Sequence, residues 1–222
     1  MRQLFAIGDI HGEFDKLRDL LAQIEARRVD NQPQTIVFLG DYVDRGPDSK
    51  AVVETLMVGP ANPEDTWICL KGNHEDLMIN ACYQTNDVAV VNWMNNGGME
   101  TAASYGEAGI LKPHVDWMRA LPFYYETENH IFVHAGFMPF IELENQQESV
   151  CTWIRNRFYD APMGRGFEDW KYIVHGHTPR GAPDIQPWRV NLDTGACFGG
   201  VLTAALFDRD KPGTPVDILQ AR

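Results

Sequence analysis

The sequence predicts an α/β fold with a mostly parallel first sheet and an antiparallel continuation. Three observations predict it. Short apolar runs recur along the chain, helical patterns separate the early ones, and the late ones follow each other without a helix between them. Most of these runs also end in polar residues that packing alone does not ask for.

The first run, "LFAIGD" (Leu4–Asp9), reads as a buried strand. In "EFDKLRDLLAQIEAR" that follows, Phe14, Leu17, Leu20, Leu21 and Ile24 fall on one helix face. "TIVFLGD" (Thr35–Asp41) is the second strand. "DSKAVVETLM" is the second helix, with Asp48 after Pro47 as its N-cap and Val52, Val53, Leu56 and Met57 on one side. "TWICLKGN" (Thr66–Asn73), "HIFVHAG" (His130–Gly136) and "YIVHGH" (Tyr172–His177) are further buried strands. "RVNLD" (Arg189–Asp193), "VLTAALF" (Val201–Phe207) and "PVDIL" (Pro215–Leu219) are expected as late, hairpin-joined antiparallel strands. Residues from about 77 to 121 carry helical patterns and "NNGG" but no clear strand, and read as a helical insertion in a single domain spanning 1–222.

At 222 residues the chain can bury a substantial core, and 44% hydrophobic with 23% charged residues is ordinary for a water-soluble domain. A net charge of −12 argues against a polymeric nucleic-acid partner, which calls for a basic stripe. It leaves a phosphorylated substrate open if bound metal supplies local positive charge. The start "MRQLFAIGDIHG" reads as neither a leader nor a membrane span, and no later apolar run is long enough to span. The four cysteines, Cys69, Cys82, Cys151 and Cys197, show no C-x-x-C spacing, which points to a reduced, cytoplasmic protein.

In open α/β sheets, function gathers at the carboxyl ends of strands. Those ends carry Asp9 and His11, Asp41 and Asp44, Asn73 and His74, His134, and His175 with His177. Carboxylates, imidazoles and an amide oxygen, without thiolates, make a ligand set suited to Mn, Fe or Zn. There are too many for one ion. Two ions about 3.5–4 Å apart, bridged by one carboxylate, would use them and would clamp an in-line displacement at phosphorus.

"GDIHG" (Gly8–Gly12), "GDYVDRG" (Gly40–Gly46), "GNHE" (Gly72–Glu75), "HAG" (His134–Gly136) and "GHTP" (Gly176–Pro179) resemble, in order and spacing, the signature of the phosphoprotein phosphatase family of calcineurin-like metallophosphoesterases. The small bacterial members that the chain resembles include lambda-type serine/threonine phosphatases and symmetric diadenosine tetraphosphate hydrolases. The resemblance implies an αββα sandwich, two mixed sheets flanked by helices, with two divalent ions, manganese by preference. It implies that Asp9 and His11 hold the first ion, that Asp41 bridges, and that Asn73, His134 and His177 complete the second. It implies that His74 protonates the leaving oxygen, that Asp44 holds its imidazole, and that Arg45 and Asn73 grip the phosphoryl oxygens. A further phosphate-binding arginine is expected in "CTWIRNRF", where Arg155 is preferred over Arg157. The expected reaction is hydrolysis of phosphoserine and phosphothreonine (and of phosphotyrosine) in proteins by a hydroxide activated between the ions. The alternative is a bis(5'-nucleosyl)-tetraphosphatase or another small-molecule phosphatase.

Asp44 favours the protein phosphatase, because an alkoxide leaves poorly and needs an acid, whereas a nucleotide needs less help. Arg45 offers planar, bidentate donors that a lysine could not mimic. "GHTPR" has Pro179 where the wider superfamily often places a second histidine. Lys71 stands where many relatives carry arginine, so either a weaker secondary phosphate contact or a changed substrate choice is expected. His175 reads as a core histidine, and His114 and His130 as surface or strand-edge residues. Cys197 reads as a small buried residue, and Asp193 and Thr194 as turn-fixing. Trp93, Trp117 and Trp170 read as packing, with Trp93 also able to line a groove, and Glu142, Glu144 and Glu148 as a solvated face.

Overall fold

Strand β1 (Gln3–Ile7) is the middle strand of a five-stranded sheet and is buried along its whole length. Successive side chains of a strand point to opposite faces, and here both faces are covered. Phe5 and Ile7 join one apolar cluster, whereas Leu4 and Ala6 join another. The computed structural model describes residues 2–30, 32–83, 87–161, 164–167 and 169–222.

Helix α1 (Phe14–Glu25) follows β1 and buries Leu17, Leu20 and Ile24. Strand β2 (Thr35–Phe38) returns parallel to β1 with Leu4 opposite Thr35. Helix α2 (Ser49–Val58) and strand β3 (Thr66–Cys69), parallel to β2, complete the second crossover. Of two expectations for α2, the N-cap position of Asp48 holds and the burial of Met57 fails. The Asp48 side chain makes no cap hydrogen bond, its amide instead donating to the Gly12 carbonyl at 2.9 Å. Met57 is 38% exposed, because Val52, Val53 and Leu56 already fill the buried stripe.

Residues 73–119 hold only helices and turns among those described: α3 (Asn73–Tyr83), α4 (Asp87–Trp93), a turn kinked at Gly97 (Met94–Gly98), α5 (Met99–Tyr105), a 3-10 turn (Gly106–Ala108) and α6 (Lys112–Arg119). The chain then enters a second five-stranded sheet through β4 (Tyr124–Glu126) and β5 (His130–Val133). Short helices α7 (Glu148–Trp153) and α8 (Asn156–Tyr159) precede β6 (Tyr172–His175), which lies parallel to β5.

Strand β8 (Arg189–Asn191) does not form the expected hairpin with the next apolar run. It pairs parallel to β6, with Ile173 opposite Arg189, and antiparallel to the two-residue β7 (Asp184–Ile185). The chain then crosses back, and β9 (Leu202–Asp208) lies antiparallel to β1 in the first sheet. Only β9 and β10 (Asp217–Ala221) pair as the expected antiparallel neighbours. The sheet orders are β10-β9-β1-β2-β3 and β4-β5-β6-β8-β7.

The two sheets face each other across a shared core. Leu4, Ala6, Val37, Leu39 and Phe207 of the first meet Phe132, Val174, Val190 and Leu192 of the second. Helices cover the outer face of the first sheet through Phe5, Ile7, Leu17, Val52 and Met78. Phe137, Cys151, Phe158 and Phe167 cover the outer face of the second through Ile131, Val133 and Ile173. This is the αββα sandwich. The carboxyl ends of β1, β2, β3, β5 and β6 converge at one rim of it.

Candidate metal centre and active site

At that rim the backbone is held in unusual conformations. Among the described residues, the non-glycine positions with positive φ include His11 (47°), Asp41 (54°), Asp44 (74°), Arg45 (72°) and His177 (69°). Such conformations cost free energy and persist where the surroundings over-determine them. Close backbone approach needs glycine here too. A Cβ on Gly72 would lie 2.2 Å from Asp41 Oδ1, and one on Gly176 would lie 2.1 Å from Asp9 Oδ1.

Asp41 sits between two groups of potential ligands. Its Oδ2 is 3.4 Å from His11 Nε2, and its Oδ1 is 3.4 Å from His134 Nε2. Ligand atoms of His11, Asp41 and His74 lie within 4.8 Å of one another, as do those of Asp41, His134 and His177. Asn73 adds its Oδ1 at 3.0 Å from His134 Nε2. Asp9 is part of neither group; its carboxylate accepts the His177 amide, at 3.1 Å to each oxygen.

The histidines are presented as ligands need to be. A ligating imidazole donates one ring N–H to a fixed acceptor and turns the other nitrogen to the metal. His11 donates Nδ1–H to the Val43 carbonyl at 2.8 Å, and His134 donates Nδ1–H to the Leu39 carbonyl at 2.9 Å. The His134 Nε2 lone pair then meets Asn73 Oδ1, Asp41 Oδ1 and, at 3.2 Å, His177 Nδ1. The buried Nε2 of His177 has no hydrogen-bond partner. Acceptors that converge on one another in this way fit a cation.

The electrostatics say the same. Burial, then Asp193, hold the Asp9 carboxyl well above the usual carboxylate range. Burial would also raise Asp41, but His134 and His74 pull it well below. For His134 burial lowers the pKa, and Asp41 more than offsets this, pushing it up to about 10. Burial drives His11 down to about 3 and His177 to about 2.

His74 stands beside this centre, its ring edge-on to His11 with centroids 4.6 Å apart. Its Nδ1 donates to Asp44 Oδ2 at 2.7 Å, which leaves Nε2 for the site. Arg45 donates from Nη1 to His11 Nε2 at 2.7 Å, and its guanidinium lies 5.3 Å from the centre of the Phe198 ring. Arg155 donates weakly to the His177 carbonyl at 3.4 Å and to Thr178 Oγ1 at 3.3 Å. Arg157 lies away from these, its nearest polar contact the Met138 sulfur at 4.0 Å.

Some residues depart from their sequence reading and others match it. Lys71 is tied to Glu148 at 2.6 Å, so Glu148 is a partner and not simply a solvated charge. His114 and His130 are buried, not exposed: His114 hydrogen-bonds the Tyr105 hydroxyl at 2.8 Å, and His130 is flanked by Phe132, Tyr172 and Phe207. Cys197 is half-buried, with its thiol pushed up to about 12 by burial. Asp193 accepts the Gly195 amide at 3.0 Å, and Thr194 donates to the Val201 carbonyl at 2.6 Å, so both hold their turn. His175 is fully buried between Phe158 and Tyr159.

Two residues to which the sequence gives no catalytic part belong to the site's frame. Glu75 accepts amides from both strand-end loops, and Trp93 donates Nε1–H to Asp44 Oδ1 at 2.8 Å. The acidic end of "GNHE" was a signal for the first. The tryptophan carried none, because its partner lies 49 residues away.

Comparison with known proteins agrees with this geometry. The model of the calcineurin-like phosphoesterase family matches residues 3–211. The chain is 30% identical over 216 residues to serine/threonine-protein phosphatase 1 of Salmonella typhimurium strain LT2, covering 92% of this chain and 91% of that protein. It is 28% identical over 228 residues to an asymmetrical bis(5'-nucleosyl)-tetraphosphatase of Bacillus mycoides strain KBAB4, covering 90% and 89%. The crystal structure of a candidate diadenosine tetraphosphatase shares the fold at a TM-score of 0.70 and 22% identity, over 100% of this chain and 94% of the other.

Proposed function

The chain belongs to the calcineurin-like phosphoesterase family, and we propose that it dephosphorylates phosphoserine and phosphothreonine in proteins. The observation that carries this reading is the buried Asp44–His74 pair, joined at 2.7 Å. A serine alkoxide is a poor leaving group, and a positioned acid is worth about 10²–10⁴ in rate. With Nδ1–H given to Asp44, His74 can carry a second proton on Nε2 and deliver it to the leaving oxygen. The Asp44 carboxylate stabilises the imidazolium before that transfer and keeps the ring in place. The 30% identity to a serine/threonine phosphatase supports the same reading.

Asp9, His11 and Asp41 would hold one divalent ion, and Asp41, Asn73, His134 and His177 a second; the mixed oxygen and nitrogen set suits Mn, Fe or Zn, of which we choose manganese. When bound, the two ions supply Lewis acidity to the phosphoryl oxygens and make a water acidic enough to serve as nucleophile. Arg45 is the donor that orients the phosphate. Its hydrogen bond to His11 Nε2 uses a lone pair that ligation would claim, which leaves the planar guanidinium to pair with two phosphoryl oxygens. Asn73 contributes its amide from the start of α3. Arg155, held only by two long hydrogen bonds, can turn to the substrate at small cost.

A second reading, hydrolysis of a dinucleoside tetraphosphate, is favoured by two aromatic rings at the rim. Phe198 is 64% exposed over Arg45, and Trp153 is 44% exposed with its ring 6.3 Å from that of His177. Exposed flat rings are surfaces on which a base can stack. The deciding measurement is kcat/KM on phosphopeptides and on diadenosine tetraphosphate, side by side in Mn²⁺. A preference for the phosphopeptides is expected, and a clear preference for the dinucleotide overturns the first reading.

A further inference from the structure

Asp44 is satisfied on every side. Its Oδ2 receives His74, and its Oδ1 receives both the Trp93 indole N–H at 2.8 Å and the Thr101 hydroxyl at 2.8 Å. Its backbone amide reaches Thr101 Oγ1 at 2.8 Å and Ser49 Oγ at 3.1 Å. The next amide, Arg45, donates to the Gly97 carbonyl at 3.1 Å. Trp93, Gly97 and Thr101 all come from one segment, the end of α4, the kinked turn and the start of α5.

That segment is shaped for this contact. The chain kinks at Gly97, whose φ of 101° and ψ of 12° are not helical, and this break joins α4 to α5. Gly97, at φ 101°, lies where a Cβ would strike the Arg45 side chain at 2.7 Å, and a Cβ on Gly98 would strike the Trp93 ring at 2.7 Å. The turn thus lets the ring lie flat against the backbone and lets the backbone lie against Arg45. Trp93 and Thr101 are buried, and the left-handed pair Asp44–Arg45 has no regular secondary structure of its own to hold it.

We propose that Trp93 and Thr101 are positioning residues for acid catalysis: they fix the Asp44 carboxylate so that it aims His74 at the leaving oxygen. The proposal rests on His74 being the acid. One oxygen of Asp44 is occupied by two donors, so the carboxylate cannot rotate, and only the other oxygen remains for the imidazole. Removing either donor leaves the pair intact in charge but loose in direction. The loss then falls on kcat, and most heavily where the leaving group most needs a proton. Substrate affinity and metal content stay as they were.

The test uses the Mn²⁺-loaded enzyme with phenyl phosphate, whose leaving group is poor, and p-nitrophenyl phosphate, whose leaving group is good. Trp93→Phe keeps an aromatic ring, though a smaller one, and deletes the donor; Thr101→Val keeps the shape and deletes the hydroxyl, which Thr101→Ser restores. The expected result for Trp93→Phe and Thr101→Val is a kcat lowered roughly tenfold on phenyl phosphate, in line with loss of a hydrogen bond to a charged group. On p-nitrophenyl phosphate the loss is less than about threefold on the same grounds, KM and bound Mn²⁺ do not change, and Thr101→Ser recovers both rates. His74→Asn is measured in parallel. Equal losses on both substrates in the Trp93 and Thr101 variants, with a selective loss in His74→Asn, overturn the positioning role alone. Equal losses in His74→Asn overturn the acid role and the proposal with it.

Discussion

The carboxylate of Glu75 fastens the backbone of Asp41. Its Oε2 accepts the amides of Asp41 and Gly72, each at 2.8 Å, and its Oε1 accepts the Tyr42 amide at 2.8 Å. Glu75 is wholly buried, and burial followed by the charge of Asp41 raises its carboxyl to about 7. The loop after β2 is thereby tied to the loop after β3, and the aspartate between the two ligand groups is fixed in direction.

Glu75→Ala leaves those amides buried without acceptors, at about 1–3 kcal/mol each. The expected outcome is a protein destabilised by several kcal/mol by the same arithmetic that binds metal poorly. Equilibrium denaturation and metal analysis check both. A variant with an unchanged midpoint and a full complement of metal would show that water replaces the carboxylate.

Hydrolysis of p-nitrophenyl phosphate is expected to need added Mn²⁺, to vanish with a chelator, and to return when the ion is restored. Turnover that resists thorough chelation would remove the ions from the reaction.

His74→Asn is expected to lower kcat on poor leaving groups by about 10² or more, the scale of general acid catalysis, while metal content stays near that of the parent. The His74 ring lies close enough to His11 and Asp41 to ligate. A variant that loses its metal would therefore reassign the residue from acid to ligand.

Arg155→Ala is expected to raise KM for phosphate esters and lower kcat/KM by roughly tenfold or more, the worth of a charge-assisted hydrogen bond. Arg157→Ala is expected to leave both nearly unchanged, because that side chain reaches Met138 instead of the His177–Thr178 turn. The reverse order would move the phosphate contact to Arg157.

His130 supplies a pH dependence remote from the metal centre. Burial lowers its pKa below the ordinary 6.5, and its Nδ1 is buried without a partner. The unfolded chain therefore binds a proton at a pH where the folded one does not. The folded state keeps its full stability above the unfolded pKa and loses it as pH falls toward the folded value. His130→Phe, which suits the surrounding Phe132, Tyr172 and Phe207 rings, is expected to flatten the fall in stability between about pH 7 and 5. Melting temperatures across that range would show it, and an unaltered slope would place the acid sensitivity elsewhere.

Much of this was readable before the structure. The crossovers around α1 and α2 announce themselves by period, because each strand is followed by a helix that covers it. The residues at five strand ends announce themselves by type, because packing has no use for them there. Strand β8 was misread because its partner is chosen by the core and not by its neighbour in sequence. Val190 and Leu192 belong to the layer between the sheets, and nothing local says which sheet. The two-residue β7 is too short to carry a period. Glu75 and Trp93 share one difficulty. A buried polar group is made tolerable by partners far along the chain, and those partners are visible only once the chain is folded.

The place of β1 has a consequence for how the protein is made. It sits between β2, which follows within one crossover, and β9, which spans residues 202–208. A nascent chain that has emerged as far as His177 already carries every proposed ligand, yet one whole edge of its central strand is still waiting. Contacts this distant in sequence slow folding, since the intervening loop must close before the pairing rewards it. The β1–β9 pairing can form only once residues 202–208 are available, and a chain without them would hold its proposed ligands on a sheet with an open side.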